Sequence, residues 1–154
     1  MADTFRIYKG DTLVVESESP LTIAGIGSNK DVAKGEYQAT RVKGETESEK
    51  IDIPSFKTLP ISVTGVTLSP KTSTAVAGTA GNRQLSATVT PANATNKTVT
   101  YSIAPATAGL AVTSGGNITW TDAVPAGEYT TTGKTADGNK TDTHVLTLTE
   151  PEEG

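Results

Sequence analysis

His144 is the only histidine in the chain, and Asp142 stands two residues before it. In an extended strand, residues i and i+2 point to one face, so imidazole and carboxylate share a side. That is two parts of a nucleophilic triad, and the hydroxyl it lacks is plentiful in so threonine-rich a chain. A triad is defined by geometry, however, not by the presence of its residue types. The plainer reading of His144 is a polar strand residue at a sheet surface or edge, and it is the one adopted. Metal chemistry is thinner still. With one histidine and no cysteine, the usual zinc ligand sets cannot be assembled. No D-x-D-x-D-G calcium loop occurs, and Asp137-Gly138 reads as a turn. No catalytic, cofactor-binding or metal residue is assigned, no cofactor is expected, and the chain is expected not to be an enzyme.

Three aromatic residues, Tyr101, Trp120 and Tyr129, could form a platform for sugar. Ile118 shares a face with Trp120 and Val99 with Tyr101, which instead predicts rings that fill a core. Lys97 and Lys134 could form an isopeptide bond with an asparagine, but no spacing demands one, so both read as surface lysines. Sequons stand at Asn93, Asn96, Asn117 and Asn139, as chance allows in a threonine-rich chain. The run Glu45-Thr46-Glu47-Ser48-Glu49-Lys50 reads as a solvated strand edge, guarded by charge.

The elements that carry these residues are strands. Threonine favours pleated, half-buried surface and disfavours helix interiors, and no window holds an apolar stripe at helical spacing. Leu85, Ala87 and Val89 alternate with Ser86, Thr88 and Thr90. After Pro91 and a polar connection, Val99, Tyr101 and Ile103 alternate again. Further strands are expected at Val66–Leu68, Thr74–Ala77, Gly109–Thr113, Asn117–Thr121, Glu128–Lys134 and Thr141–Thr149, with a turn at Gly78–Gly81. Eight short strands in about 90 residues suit a β-sandwich.

A boundary falls near Thr58-Leu59-Pro60, where dense charge gives way to sparse. Ser55 to Leu59, between two prolines, reads as an extended linker. The expected organisation is a small β unit over 1–58, a linker at 59–61, a sandwich over 62–150 and an acidic tail at 151–154. In the first unit, strands are expected at Thr4–Tyr8, Thr12–Glu16, Leu21–Ala24, Glu36–Lys43 and Ser48–Ile53, with Asp31 to Gly35 as an insert. About 60 residues bury only some 60% of their unfolded surface, so this unit would gain from docking on a partner.

Composition narrows the partners. Aromatics make up 5% of the chain and hydrophobics 34%, too few for one large core. Each part carries a formal charge of −2 (8 bases against 10 acids up to residue 60, 5 against 7 after it). No basic stripe exists, so nucleic acid is not an expected partner. No segment reaches the roughly 20 apolar residues of a membrane helix, so no membrane partner is expected. Met1 to Arg6 holds no apolar signal core, which predicts no signal peptide.

The run from Leu85 to Val99 resembles the bacterial immunoglobulin-like domains of group 2, with their "L-x-A-x-V-x-P-x-x-A-T-x-K-x-V" core. Val63-Thr64-Gly65-Val66-Thr67-Leu68-Ser69-Pro70 resembles their opening strand. After Ile103 the pattern departs from theirs. Pro20-Leu21-Thr22-Ile23-Ala24-Gly25-Ile26, followed by Tyr37 to Val42, is similar to the second half of a fibronectin type III domain. The resemblance implies an all-β chain: an Ig-like β-sandwich preceded by a small β domain. Together the two parts resemble accessory structural proteins of tailed bacteriophages. That resemblance implies a virion location and a non-enzymatic capsid decoration or head-fibre role, with weak multivalent adhesion to the host surface. The implied partners are a phage capsid or tail protein, possible further copies of the chain as a homo-oligomer, and host cell-wall carbohydrate. The alternatives are a major tail (tube) protein or its projecting domain, and a carbohydrate-binding module of a bacterial surface protein.

Overall fold

The computed structural model describes residues 3–152, which include part of the acidic tail expected at 151–154. The chain divides at Pro60/Ile61 into two compact units. Among the described residues, all long-range regular structure is β.

The first unit is built on an antiparallel sheet. β1 (Thr4–Lys9) lies between β2 (Thr12–Ser17) and β4 (Gln38–Lys43), and β4 also pairs with the short β5 (Thr46–Glu47) and β6 (Ile51–Asp52). A separate ribbon joins β3 (Asp31–Val32) to β7 (Phe56–Lys57). Ile7, Val32 and Tyr37 form the buried centre, and Leu21, Ile23, Ile26 and Phe56 pack on it. Three expectations change here. Leu21–Ala24 pairs with no strand, although Leu21 and Ile23 turn their side chains to the core. The expected insert supplies Val32, a core residue, and Gly35 N–H bonds the Ile53 carbonyl at 3.1 Å. The expected linker is part of this unit: Phe56 and Lys57 form β7, Thr58 N–H bonds the Lys30 carbonyl, and Leu59 accepts from Asn29. Ile61 already belongs to the second unit, because it exchanges bonds with Thr95.

The second unit is a two-layer sandwich. One sheet runs β12 (Val99–Ala104), β15 (Gly127–Thr135), β16 (Thr141–Thr149), β9 (Thr72–Val76). The other layer contains β13 (Leu110–Val112), β14 (Asn117–Trp120) and β10 (Gly81–Gln84), and then β11 (Ser86–Thr90) paired with β8 (Gly65–Ser69). Leu85 joins β10 to β11, so the two are halves of one long strand. β10 stands partly where a turn was expected. Pro70 lies between β8 and β9, and there the chain leaves one layer for the other. β9 then runs parallel to β16, while the other ladders are antiparallel. This arrangement is an immunoglobulin-like β-sandwich.

The core follows from the alternation. Leu68, Leu85, Ile118, Trp120, Tyr129, Leu146 and Leu148 are buried between the layers, and Tyr101, Ile103, Leu110 and Val112 close its flank. Gly81 faces Trp120 across the ladder. A Cβ there would sit 2.5 Å from the indole, so this position must lack a side chain. A second cluster of Val63, Val89 and Ala94 closes one end of the sandwich.

Candidate interaction surface

His144 lies in β16 with Leu146 and Leu148 on the inward face, and it is completely buried. This corrects the expectation of a surface or edge position. Its Nδ1 lies 2.8 Å from the Pro70 carbonyl oxygen, which can only accept, so Nδ1 carries the proton. Nε2 then accepts the Ser73 hydroxyl at 3.0 Å. The hydroxyl that the sequence could not place is therefore Ser73, and the orienting group is a carbonyl rather than Asp142. This is the arrangement by which an imidazole activates a serine. His144 itself is closed off from solvent, while Ser73 is half-buried. Open concavities of about 420 and 350 Å³ are lined by Val32, Glu36 and Phe56 and by Ala87, Val89 and Lys97, and neither includes Ser73 or His144. The pair ties β9 and the Pro70 crossing to β16.

Asp142 turns to a different task. Its carboxylate accepts the Leu68 N–H at 2.6 Å and is bonded by the Lys71 ammonium. The Lys71 bond, followed by the Leu68 N–H, holds its carboxyl below the usual range. Asp137, in the turn before β16, accepts the Val63 N–H at 2.9 Å.

The aromatic residues do not form a platform. Trp120 is buried and donates Nε1–H to the Thr79 carbonyl at 3.1 Å. Tyr129 is buried and donates its hydroxyl to the Pro125 carbonyl, four residues upstream, at 2.9 Å. That is a tyrosine corner, placed at the start of β15 where Ig-like sandwiches carry one. Lys97 donates to the Ala92 carbonyl at 3.1 Å, and Lys134 stands exposed at one end of β15.

What the second unit presents to water is the outer face of β12-β15-β16-β9. The inward residues of β15 and β16 alternate with threonine, so outward hydroxyls fall in register across strands. Ser102, Thr132 and Thr143 form one row, and Thr130, Val145 and Thr72 another. Charge stays near the ends of β15, at Glu128 and Lys134. The face can offer hydroxyls and methyl groups at strand spacing, with little net charge.

The first unit presents the opposite character. On the outer face of β1, Arg6 pairs with Glu16 at 3.0 Å and with Glu47 at 2.6 Å. Glu47 also accepts from Thr40 at 2.6 Å and Tyr8 at 2.8 Å, and the Lys50 ammonium lies 4.7 Å from the centre of the Tyr8 ring. The Thr40 and Tyr8 hydroxyls, then Arg6, hold the Glu47 carboxyl below its ordinary range. Glu47 and Lys50 of the charged run are tied into this network, while the run as a whole is exposed at the sheet edge as expected. Leu13, opposite Tyr8, is an exposed apolar residue on this face, and Ile51, opposite Ala39 in the row of Ile7, is an exposed apolar residue on the other.

No family model matches this chain. Over 89 residues, 57% of its length, it is 53% identical to an "Ig-like virion protein" of Serratia phage KSP90. The chain spans about a third (32%) of that relative. Among solved structures, Drosophila N-cadherin EC1-4 aligns with 98% of this chain and 41% of its own, at 12% identity and a TM-score of 0.52. Domains 1-6 of the surface layer protein SbsC align with 98% of this chain and 20% of theirs, at 14% identity and a TM-score of 0.46. The chain is thus similar in fold to N-cadherin EC1-4, and over more than half its length it is similar in sequence to a phage virion protein.

Proposed function

We propose that this chain is a non-enzymatic structural component of a tailed-phage virion, of the capsid decoration or head-fibre kind. The 53% identity to a virion protein over 89 residues carries the reading. The first unit docks on the particle: it is small, and its sheet exposes apolar residues on both faces, Leu13 on that of the charged network and Ile51 on the other. The second unit projects a hydroxyl-rich face with little net charge, which suits weak contacts with host cell-wall carbohydrate. Repetition on one particle raises effective concentration, so each contact can be poor and the sum useful.

The test is co-sedimentation of the purified chain with purified capsids of its phage. Saturable binding, weakened by Leu13→Asp and Ile51→Asp, is the expected result. Failure to bind capsids removes the central support of the proposal.

A further inference from the structure

Sheet edges expose backbone donors and acceptors, and proteins normally guard them with charge, bulges, proline or brevity. Most outer strands of this chain are guarded in these ways. β2 carries Glu16 and a register slip opposite Ile7 and Tyr8. β13 is three residues long, and Pro70 interrupts the run from β8 to β9. β12 has none of these protections. It is the first strand of its sheet, six residues long, with an unbroken register and no charged residue from Thr98 to Ala104.

The ladder fixes which of its backbone groups are free. Ala136 N–H bonds the Thr98 carbonyl at 2.9 Å, so the 98–136 pair is hydrogen-bonded. In an antiparallel ladder such pairs alternate, so Thr100, Ser102 and Ala104 also turn their backbone groups to β15. Val99, Tyr101 and Ile103 turn theirs outward. Among the described residues, no backbone group meets them. Their side chains are only half-buried: Tyr101 and Ile103 line the flank of the core, and Val99 packs on the cluster of Val63, Val89 and Ala94.

We propose that this edge pairs with β12 of a second copy, antiparallel about a two-fold axis at Tyr101. The strand is self-complementary in that register. Tyr101 meets Tyr101 of the second copy, and Val99 meets Ile103. All three positions carry outward N–H and C=O groups, so each pairing is a hydrogen-bonded one. On the outer face Thr100 meets Ser102, which sets no like charges opposite each other. Lys134 is the nearest outward charge. It lies beside Thr100 in β15, and the row then runs to Ser102 and Thr132 of the second copy, so it faces only hydroxyls. The two four-stranded sheets become one of eight strands, and the two hydroxyl faces become continuous. This interface is isologous and closes at two copies. It does not depend on the virion reading, because it follows from β12 alone.

Sedimentation of the full chain from about 1 μM to about 1 mM tests the pairing. A concentration-dependent dimer is expected. Ser102→Lys places new like charges about 8 Å apart across the axis and weakens the dimer at least tenfold. Thr143→Lys, on the same face but within the sheet, leaves it unchanged. Circular dichroism checks that both variants remain folded. Because the chain has no cysteine, a second arm is free of background. In Thr100→Cys/Ser102→Cys, the two sulfurs meet across the axis in a non-hydrogen-bonded pair, and mild oxidation gives a covalent dimer. A monomer at every concentration with no covalent dimer, or a dimer indifferent to Ser102→Lys, overturns the proposal.

Discussion

The Asp142 carboxylate on β16 accepts the backbone N–H of Leu68 on β8 at 2.6 Å, so a side chain in one layer completes the hydrogen bonding of a strand in the other. Lys71 bonds the same carboxylate just past the Pro70 crossing. Asp142→Ala leaves the Leu68 N–H without a partner and should cost about 1–3 kcal/mol. The same group gives the sandwich an acid limit. Its folded pKa is depressed, so its stabilisation is present above the ordinary value of 3.8 and is lost as pH falls through the lower folded value. Urea melts at pH 7 and near pH 3 check this: Asp142→Asn should lose less stability between the two than the parent chain does.

Gly133 on β15 lies beneath Leu68. A Cβ at residue 133 would stand 2.9 Å from Leu68 Cδ2, and Leu68 is fully buried. Gly133→Ala should therefore cost about 1–3 kcal/mol by overpacking. Gly65→Ala is the control, since open space surrounds that position and its stability should barely change. Thermal melts of the two variants decide the matter, and equal melting temperatures would contradict the packing described.

His144 and Ser73 are expected to be structural. A fluorophosphonate probe, which labels activated serines, should leave the folded chain unmodified. His144→Ala opens a cavity and strips partners from Pro70 and Ser73, so it should destabilise by about 2–4 kcal/mol. Ser73→Ala should cost about 1 kcal/mol. Labelling at Ser73 that disappears in His144→Ala would point to catalysis instead.

Trp120 is the single tryptophan, so its fluorescence reports one environment. Burial against Gly81, with its N–H on Thr79, predicts blue emission and poor quenching by iodide. Cell-wall polysaccharide should leave both unchanged, because the face proposed to meet sugar lies on the opposite layer. Red, readily quenched emission would show that the indole is open to water.

Much of the sandwich was legible along the chain because alternation survives wherever one strand face is apolar. Leu85 to Thr90 and Val99 to Ile103 sit on that signal. β10 was not legible, because its inward positions are Gly81, whose missing side chain the indole replaces, and Arg83. The β3 and β7 pair was not legible either: two-residue strands have no period, and Val32 reads as part of an insert until Phe56 is seen beside it. For His144 the signal misled. A polar side chain suggests a surface, and what permits its burial is a carbonyl and a hydroxyl from 74 and 71 residues away. Of the aromatic residues, Trp120 was placed by its neighbour Ile118, while the Tyr129 corner needed the position of Pro125, which no spacing revealed.

The parallel pairing of β9 with β16 has a mechanical consequence. Val63 is bonded to Asp137 at one pole of the second unit, and Thr149 ends β16 at the other. A pull on the two ends is directed along the strands, drawing β9 one way and β16 the other. Under such shear the ladder from Val145–Thr72 to Thr149–Val76 is loaded all at once, whereas peeling would break it rung by rung. The unit is thereby built to bear tension along its length.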